Sequence, residues 1–534
     1  MTFKHGLLAL AALKLLAASP AIAQTQAEGT LLTARPAATA ANQPRVLVRQ
    51  IKFNGNTVMS EDALNRLVAG SLGKEVTLAD LQNLATKVSE AYHAAGYFLA
   101  KAVIPEQDIQ GGVVTIRVLE GRLGEIIVTG NQRFGEPDIR KHFDRLVKEK
   151  VIRQQTLERA LLILNDIPGL EVSSVLQAGK EQGTTDLAVK VTEERRALGS
   201  FEFNNFGTRL SSRYRFAPAV DLPNLSGNGD VVNLRLVTGT TPRDLLFGRF
   251  NYTRPVNHKG TTISSYFVGG QSEIGEEFAV LGITSEVTSF GFGAHHPLWK
   301  SRQKSVSVDA GLDWNDTKQN LLGALTSADK IRKFRAGLSW DAKDNTGRNF
   351  ASLTWHQGLG SGTFGAMRDN DPLSSRSASG ADNRFSKFTL DLARVHRVNN
   401  RVYLVGRGSA QLATHALVVG EQLAVGGADS VRGYNQSQFL GDDGVNVSVE
   451  ARFSPLRKNS DRFQVAVFAD HGTVTLKQPT AGQSKTQNIT GLGFGVRAVF
   501  PREWSLRADL GFHISNKPDT GATALPTIQL IKRF

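Results

Sequence analysis

The segment VNVSVEARF, Val445–Phe453, alternates strictly between apolar and polar side chains along its whole length. The apolar set is Val445, Val447, Val449, Ala451 and Phe453, and the polar set is Asn446, Ser448, Glu450 and Arg452. A period of two places the two sets on opposite faces of a β-strand. The segments TGLGFGVRAVF (490–500) and WSLRADLGFH (504–513) repeat the pattern. This part of the chain is therefore predicted to form a sheet with one apolar and one polar face.

The same alternation extends over residues 197–534, in stretches of roughly 9 to 12 residues separated by Gly, Asn, Asp, Ser and Pro clusters. A strand of about 9–11 residues crosses a bilayer at a tilt. At roughly 21 residues for a strand and its connection, the region accommodates about 16 antiparallel strands. In a bilayer only a closed barrel satisfies the backbone groups of every strand. We therefore expect a transmembrane β-barrel over residues 197–534.

The polar face of this barrel is expected to line a lumen, because about 16 strands enclose more space than side chains can fill. The charged residues expected on it are Glu450, Arg452, Arg497, Arg507 and Asp509. On the strand FADHG, Asp470 shares the inward face with Phe468 and Gly472, while Val465, Val467 and Ala469 face lipid. These residues predict a wide pore with a charged wall.

The N-terminus has the pattern of a secretory signal peptide. Lys4 precedes an apolar run from Gly6, and Ala21-Ile22-Ala23 forms a small-x-small cleavage site. Residues 1–23 are therefore expected to be removed, leaving Gln24 first. Residues 24–44 are rich in Ala, Thr and Gln and are interrupted by Pro36, which predicts a linker with at most one short helix.

The amino-acid composition argues against several classes of function for this chain. The chain of 534 residues contains no cysteine, which excludes disulfides, Cys-zinc sites and thiol catalysis. Its 63 basic and 49 acidic residues give a formal charge of +14, without the clustering of cations and aromatics typical of nucleic-acid binding. Neither an HExxH motif nor a G-x-S-x-G elbow occurs. We expect no cofactor, no metal and no catalytic residue, although a Ser-His dyad within the barrel stays open as an alternative.

Residues 45–196 contain a repeated unit of about 75 residues. In the first copy the strand RVLVRQIKF and the turn at Gly55-Asn56 precede two helices capped by Ser60 and Thr77, and the strands 98–106 and 112–121 follow. In the second copy the strand LGEIIVTGN ends at Gly130-Asn131, and helices over 135–147 and 153–167 and two strands follow again. The repeat predicts two tandem α+β modules, over residues 45–121 and 122–196.

The loop GGADSVRGYNQ, residues 426–436, contains an arginine, Arg432, between Val431 and Gly433-Tyr434. One interpretation is a solvated surface charge, with Asp470 a hydrated carboxylate in the lumen. The other is an ion pair between Arg432 and Asp470, which requires the loop to fold back inside the barrel. Tyr434 would then either contact the lumen wall or be an exposed loop aromatic.

These motifs resemble those of two-partner secretion transporters, the hemolysin secretion/activation proteins of the Omp85 superfamily. "VRGY" (Val431, Arg432, Gly433, Tyr434) matches the signature of the long loop before the family's twelfth barrel strand, and "FADHG" (Phe468, Asp470, Gly472) matches F-x-D-x-G on the thirteenth. Five strands are predicted after the loop, beginning near residues 443, 463, 488, 502 and 525, as twelve to sixteen requires. The segments 96–131 and 161–191 resemble the family's two POTRA modules, and the family's plug helix would fall within residues 24–35.

The resemblance implies a function. Such transporters accept an unfolded, adhesin-like or hemolysin-like exoprotein in the periplasm through POTRA modules and pass it through the barrel to the cell surface. The implied location is the outer membrane of a Gram-negative cell, with the exoprotein and lipid as partners, no nucleic acid, and a monomeric transporter. The alternatives are an Omp85-type assembly factor for other barrels, and, less well supported, a passive porin or an outer-membrane enzyme.

An extended exoprotein segment can add to an exposed sheet edge, where main-chain hydrogen bonds provide affinity for many sequences. The edge strands of the two modules are predicted within residues 99–106 and 170–177. The client-binding residues expected there are Leu99, Ala100, Lys101, Ala102, Val103, Ile104, Leu170, Val172 and Val175.

Overall fold

The computed structural model describes residues 44–193, 195–516 and 521–534. The expected signal peptide, the plug-helix segment and the linker up to residue 43 lie outside these residues. The described chain forms two small α+β modules followed by a closed barrel, as the sequence predicts. No helix within the described ranges combines the length and the hydropathy needed to span a membrane.

The first module contains five strands and two helices. They are β1 (Arg45–Leu47), β2 (Gln50–Asn54), α1 (Glu61–Val68), β3 (Glu75–Thr77), α2 (Leu78–Ala94), β4 (Lys101–Val103) and β5 (Val113–Leu119). Strand β5 pairs in parallel with β2 and antiparallel with β4, so that β2 and β4 are the sheet edges. The side chain of Ser60 caps α1, and Thr77 and Asp80 form a capping box at the start of α2. These caps explain why both helices begin where the sequence pattern predicts.

Two predicted strands of this module are shorter in the structure. The segment RVLVRQIKF divides into β1, which pairs with β3, and β2, which pairs with β5. The backbone N–H groups of Arg49 and Gln50, at the break, both donate to the carbonyl of Gly112. The predicted strand 98–106 is reduced to β4, because residues 98–99 form a turn and the proline at 105 has no N–H for a ladder.

The second module repeats the topology of the first. Its elements are β6 (Arg122–Thr129), α3 (Glu136–Lys141), α4 (Asp144–Glu149), α5 (Gln154–Asn165), β7 (Leu170–Ala178) and β8 (Thr184–Glu193). Strand β8 pairs in parallel with β6 and antiparallel with β7. One helix was expected over 135–147, whereas the structure has two, because Phe143 leaves helical geometry at φ −96° and ψ 4° and is fully buried in the module core.

The internal repeat also holds at the level of individual contacts. Gly55 and Gly130 both adopt positive φ, and a side chain at either would collide with a carbonyl of the neighbouring strand, at Val118 or Val191. A glutamate directly after β5, or at the last position of β8, accepts hydrogen bonds from backbone N–H groups just after the Gly-Asn pair. In the first module it is Glu120, and in the second it is Glu193. The repeated Gly-Asn signal therefore marks the same turn in both modules.

The barrel consists of 16 antiparallel strands in sequence order, closed by pairing of the last with the first. Its first eight strands are β9 (Leu198–Asn204), β10 (Arg215–Pro223), β11 (Val231–Thr238), β12 (Leu245–Pro255), β13 (Thr262–Glu273), β14 (Thr284–Lys300), β15 (Lys304–Leu321) and β16 (Ala324–Lys343). Two short strands inside a loop, β20 (Leu423–Val425) and β21 (Phe439–Gly441), pair only with each other. The other eight barrel strands are β17 (Gly347–Gly358), β18 (Ser386–Arg397), β19 (Val402–Ala413), β22 (Asp443–Phe453), β23 (Phe463–Thr475), β24 (Thr486–Phe500), β25 (Trp504–His513) and β26 (Ala524–Arg533).

The strand count and the five strands after the long loop agree with the prediction, but the predicted lengths of 9 to 12 residues do not hold throughout. Strands β14, β15 and β16 have 17, 18 and 20 residues, more than a bilayer crossing needs. The ends of β15 and β16 that meet at residues 321–324 carry mostly polar residues and still pair with each other. Hydrophobicity alone therefore does not show where the membrane part of a strand stops. The apolar side chains of Val445, Val447 and Val449 face outward, whereas Glu450 is buried inside the barrel.

The second module packs against one end of the barrel, here called the module end. Arg159 on α5 donates to the carbonyl of Pro297 at 2.7 Å, and Asp166 pairs with Lys300 at 2.7 Å. The barrel turns at 224–230, 256–261 and 301–303 lie at this end. The long loops 359–385 and 414–442 therefore lie at the opposite end, here called the far end.

Candidate functional site

The loop between β19 and β22, residues 414–442, folds back into the barrel. Val425, Val431 and Tyr434 pack with Val474 and Ile489 of the barrel wall in a buried apolar cluster. Apolar, small and charged residues follow one another in this segment without a regular period, so a strand or helix pattern could not indicate its position. The loop thereby brings Arg432 against the inner wall.

Arg432 and Asp470 form a bidentate ion pair. Nε of Arg432 donates to Oδ2 of Asp470 at 2.7 Å, and Nη2 donates to Oδ1 at 2.8 Å. The backbone N–H of Arg432 donates to the same carboxylate at 3.1 Å. The two residues are 2% and 1% exposed. Such charge-assisted, doubly hydrogen-bonded pairs are stronger and more directional than surface ion pairs.

Arg432 is also the centre of a larger ionic network on β22 to β25. Its Nη1 donates to Glu450 at 2.5 Å and its Nη2 to Ser448 at 3.2 Å. Glu450 accepts in addition from Arg452 and Arg497, and Asp509 accepts from Arg497 and Arg507. The charged members are the arginines Arg432, Arg452, Arg497 and Arg507 and the acids Asp429, Glu450, Asp470 and Asp509. The ion pairs thus join four arginines to four acids, of which Asp429 is half-exposed. Buried charges are tolerated when each of them has an opposite partner.

The three residues of the F-x-D-x-G motif each contact the loop. The ring of Phe468 lies under the guanidinium of Arg432, with Cζ 3.3 Å from the ring centroid, a cation–π arrangement. Asp470 is the ion-pair partner. A Cβ on Gly472 would lie 3.0 Å from side-chain atoms of Val425 and Val431. The motif therefore combines a stacking surface, a carboxylate and a space for the loop.

Close approach of the loop backbone to the wall depends on glycine. Gly433 has φ +95°, a conformation that residues with a Cβ rarely adopt. Opposite it, a Cβ on Gly491 would lie 1.9 Å from the carbonyl oxygen of Arg432. The period-two glycines of GLGFGVRA thus form a smooth strip on β24, on which Gly491 accepts the loop, and Gly493 and Gly495 leave room for Phe468 and Asp509.

Tyr434 is buried against the wall. Its hydroxyl donates to the carbonyl of Thr490 at 3.1 Å and also contacts the carbonyl of Ser515, and its ring lies edge-on to His513 with centroids 6.2 Å apart. Of the two interpretations of Tyr434, the structure has the one in which the ring contacts the lumen wall.

Sequence reasoning identified Arg432 and Asp470 but not the additional partners of the arginine. Glu450, Arg497, Arg507 and Asp509 were recognised as inward-facing charges, and alternation alone supplied that information. Which of them meet depends on the register between β22 and β25, where Arg497 pairs with Arg507 and Glu450 with Phe468. Arg497 and Arg507 lie opposite each other on neighbouring strands, so an acid has to lie between them to offset their repulsion. This requirement could have indicated from the sequence that the two arginines share Asp509.

The predicted client-binding residues lie on β4 and β7 or next to them, and both strands are sheet edges. Four of their side chains, those of Ala100, Ala102, Leu170 and Val172, are buried in the module cores, whereas Val175 is 65% exposed. Leu99 packs partly against the core of the second module, and Ile104 packs partly against that of the first. A client at these edges would therefore meet mostly backbone.

The two edges differ in their free backbone groups. On β4, the N–H of Ala102 already donates to Ser89 of α2 at 2.9 Å. On β7, Val172 is covered by Asn165, which bonds both its N–H and its carbonyl. Because outward groups recur every second residue, those of Ser174 and Leu176 also point away from β8. Only β7 thus extends an outward edge beyond its covered position.

The described residues contain no group of three or more His, Cys, Asp or Glu side chains placed to hold a metal ion. The ionic network is built of Arg–carboxylate pairs, which stabilise a structure without requiring any added group. Its arrangement is suited to holding a loop against the barrel wall.

Comparison with known proteins gives consistent results. Residues 183–498, more than half of the chain, match the family model of the haemolysin secretion/activation protein ShlB/FhaC/HecB, and residues 46–121 match the ShlB-type POTRA domain. The heme/hemopexin transporter protein HuxB of Haemophilus influenzae (strain 86-028NP) is 26% identical over 486 residues, covering 88% of this chain and 84% of that protein. The outer membrane transporter CdiB of Dickeya dadantii (strain 3937) is 24% identical over 519 residues, covering 89% and 85%.

Among solved structures, CdiB from Escherichia coli superimposes with a TM-score of 0.76 at 20% identity, over 95% of this chain and 94% of that one. This similarity shows a shared fold of POTRA-type modules and a 16-stranded barrel. The named relatives are transporters. The chain belongs to the ShlB/FhaC/HecB family of haemolysin secretion/activation proteins, the outer-membrane transporters of two-partner secretion.

Proposed function

We propose that this chain recognises one unfolded, adhesin-like or hemolysin-like exoprotein through its POTRA modules and passes it through the barrel to the cell surface. The module end faces the periplasm of a Gram-negative cell, and the far end faces the exterior. The transporter works as a monomer without cofactor or catalytic residue, and its partners are the exoprotein and outer-membrane lipid.

The observation that carries this proposal is the anchored loop. A loop of 29 residues, 414–442, lies within a wide barrel and is held by a compensated network of buried charges. A passive porin would gain nothing from modules at one end. A protein-conducting pore requires the loop at a defined place on the wall, so that the rest of the lumen can accommodate an extended chain.

The recognition surface is assigned to the outward edge of β7, residues 174–178. Within this edge Val175 presents an exposed apolar side chain, and the outward backbone groups can pair with an extended client. The corresponding edge of β4 is three residues long, and its outward N–H is already bonded to Ser89. We therefore infer that the second module contributes the main contacts with the exoprotein.

The driving force is assigned to folding of the exoprotein outside the cell. The sequence contains no strand–turn–helix phosphate loop that would bind a nucleotide. Folding at the surface removes the emerging chain from the pore and prevents its return, which biases diffusion outward. An exoprotein variant locked in an unfolded state at the surface should stall in the pore, and export at the normal rate would contradict this mechanism.

Deletion of this protein in its native cell, followed by comparison of surface and outer-membrane proteins, tests the function. Loss of one exoprotein from the surface, with other barrels at normal amounts, is expected of a dedicated transporter. Loss of many barrels would instead identify an assembly factor for other outer-membrane proteins. Complementation with the wild-type chain must restore the exoprotein in the first case.

A further inference from the structure

Three loops meet at the far end of the barrel. They are the loop between β17 and β18 (359–385), the first arm of the lumenal loop (414–422) and the loop between β23 and β24 (476–485), here together called the mouth loops. The first and third of these follow the ninth and thirteenth strands of the barrel. A contact between them therefore spans the four intervening strands β18, β19, β22 and β23 at the far end.

Asp442 joins all three mouth loops. Its Oδ1 accepts from Nη1 of Arg376 at 2.6 Å and from the N–H of Leu417 at 2.9 Å. Its Oδ2 accepts from the N–H of Lys477 at 2.7 Å. The side chain is 0% exposed, and Gln422 supplies one more hydrogen bond at 3.0 Å. One buried carboxylate thus holds groups from three separate loops.

Arg376 makes the matching set of contacts from the other side. Besides Asp442, it donates to the carbonyl of Leu417 at 2.8 Å and to the carbonyl of Lys477 at 3.2 Å. Its side chain is 9% exposed. Because Arg376 and Asp442 each contact both other loops, the pair is the point at which the mouth loops are tied together.

An apolar cluster lies beside the pair on the inner face of the barrel. Met367, Ala381 and Phe385 of loop 359–385 pack against Leu417 and Val418 of the first arm, together with Ile331 on β16. The first arm is held to the wall separately, since Glu421 pairs with Lys333 at 2.5 Å and Lys387 at 2.9 Å. Loop 359–385 is attached in turn to β16, since the N–H groups of Met367 and Leu359 donate to the carbonyls of Lys330 and Arg332 at 2.9 Å each. The Arg376–Asp442 pair therefore supplies the link from this loop to the other two mouth loops.

We propose that Arg376 and Asp442 form a latch that keeps loop 359–385 closed over the far-end opening, and that the latch must open for a polypeptide to leave. The latch is separate from the Arg432–Asp470 anchor, which lies on the wall formed by β22 and β23. The tie between the mouth loops follows from the contacts, whereas the need for opening during export rests on the proposed function.

Arginine substitutions on the same loop provide a matched pair for testing closure. Arg376→Gln removes the latch, whereas Arg384→Gln removes an arginine that is 54% exposed and pairs only with acids of its own loop, Asp382 and Asp369. In planar bilayers, purified Arg376→Gln protein should show at least fivefold more frequent open-channel events than wild type, and Arg384→Gln should match wild type. Asp442→Asn provides a second variant with the same expected gain. Wild-type conductance in both latch variants, with barrels that remain folded on unheated gels, would overturn the proposal.

A reversible lock tests the need for opening. The chain contains no cysteine, and the hydroxyl of Ser375 on loop 359–385 lies 3.1 Å from the N–H of Val419 on the first arm. In the variant Ser375→Cys/Val419→Cys, oxidation should lower exoprotein secretion at least tenfold, and a reductant in the medium should restore it. Each single cysteine variant should be insensitive to oxidant. Secretion at the wild-type rate by the oxidised double variant would contradict the latch. If wild-type cells secrete no exoprotein at all, the proposed function is refuted, whereas the conductance result on closure still stands.

Discussion

Arg432 donates two parallel hydrogen bonds, 2.7 and 2.8 Å long, to the two carboxylate oxygens of Asp470, and both side chains are shielded from solvent. The pair joins a loop to the inner wall across 38 residues of sequence. Removing one partner of a buried ion pair leaves an uncompensated charge and typically costs about 3–5 kcal/mol. Loss of the pair should destabilise the placement of the loop and not the barrel, because the barrel is closed by 16 ladders of backbone hydrogen bonds.

Exchanging the charges of Arg432 and Asp470 is expected to restore secretion only in part. In the variant Arg432→Asp/Asp470→Arg the new aspartate would lie next to Glu450, which is 2.5 Å from Arg432 in the native chain. We therefore expect each single reversal to lower secretion at least tenfold and the double reversal to restore it only in part. Secretion is measured as exoprotein in the medium per transporter in the membrane, and equal loss in all three combinations would argue against a direct pair.

The glycine strip on β24 predicts a steric effect. In Gly491→Ala the new methyl group would lie 1.9 Å from the carbonyl oxygen of Arg432, so the loop has to shift by more than small adjustments allow. Overpacking of this kind costs about 1–3 kcal/mol, and secretion should fall severalfold. Gly406→Ala is the control, since its Cβ would meet no atom within 4 Å. If both variants secrete equally, the loop does not depend on contact with this strip.

Proline substitutions at neighbouring positions of β7 are expected to have different effects, one on exoprotein binding and the other on the stability of the module. The N–H of Ser174 points away from β8, so Ser174→Pro should remove one client contact while the β7–β8 ladder stays intact. Ser173→Pro removes a ladder hydrogen bond instead and should destabilise the module. Exoprotein binding to the purified transporter, measured by titration, should weaken about threefold to tenfold for Ser174→Pro and not at all for Ser174→Ala. Unchanged binding by a folded Ser174→Pro variant would exclude this edge.

Glu193 predicts an acid-sensitive turn in the second module. Burial raises the pKa of this carboxyl, but hydrogen bonds from the backbone N–H groups of Gln132, Phe134 and Arg133 outweigh it and lower the pKa to about 2. Because the folded pKa lies below the ordinary value of 4.5, its stabilising contribution is present above about pH 4.5 and is lost as the pH falls towards 2. Amide exchange at residues 132–134 of the full-length protein should therefore lose protection over this interval, once corrected for the intrinsic rate. Glu193→Gln should show reduced protection already at pH 7, and identical protection in both proteins would contradict the assignment.

Much of the fold could be predicted because strand faces and caps are local properties. Alternation around Val445 and Leu506, together with strands long enough to cross a bilayer and a predicted signal peptide, indicated a barrel with a polar interior. Ser60 and Thr77 marked the helix starts correctly. The divided helix around Phe143 was missed, because burial of one aromatic in a core overrode helical periodicity. The long strands β14 to β16 were missed because polar alternation continues beyond the part that faces lipid.

The candidate site was less predictable. Alternation placed Asp470 in the lumen, but the position of Arg432 came only with the family resemblance, because an irregular loop has no period to read. The wider network around Glu450 depends on strand register, and register is set by turns and bulges elsewhere in the barrel. The latch at Asp442 was not anticipated, since its partners are 66 residues upstream and 35 residues downstream.

Secretion by Arg432→Ala tests the central claim most directly, that the loop must be held inside the barrel for the exoprotein to pass. The amounts of transporter in the outer membrane and of exoprotein in the medium are measured in the same culture, with wild type as reference. We predict at least tenfold less exoprotein while the amount of folded barrel stays within about twofold of wild type, because the ion pair positions the loop and not the strands. Normal secretion by a variant present at wild-type amounts would contradict the account, and loss of the barrel from the membrane would show that Arg432 serves folding instead.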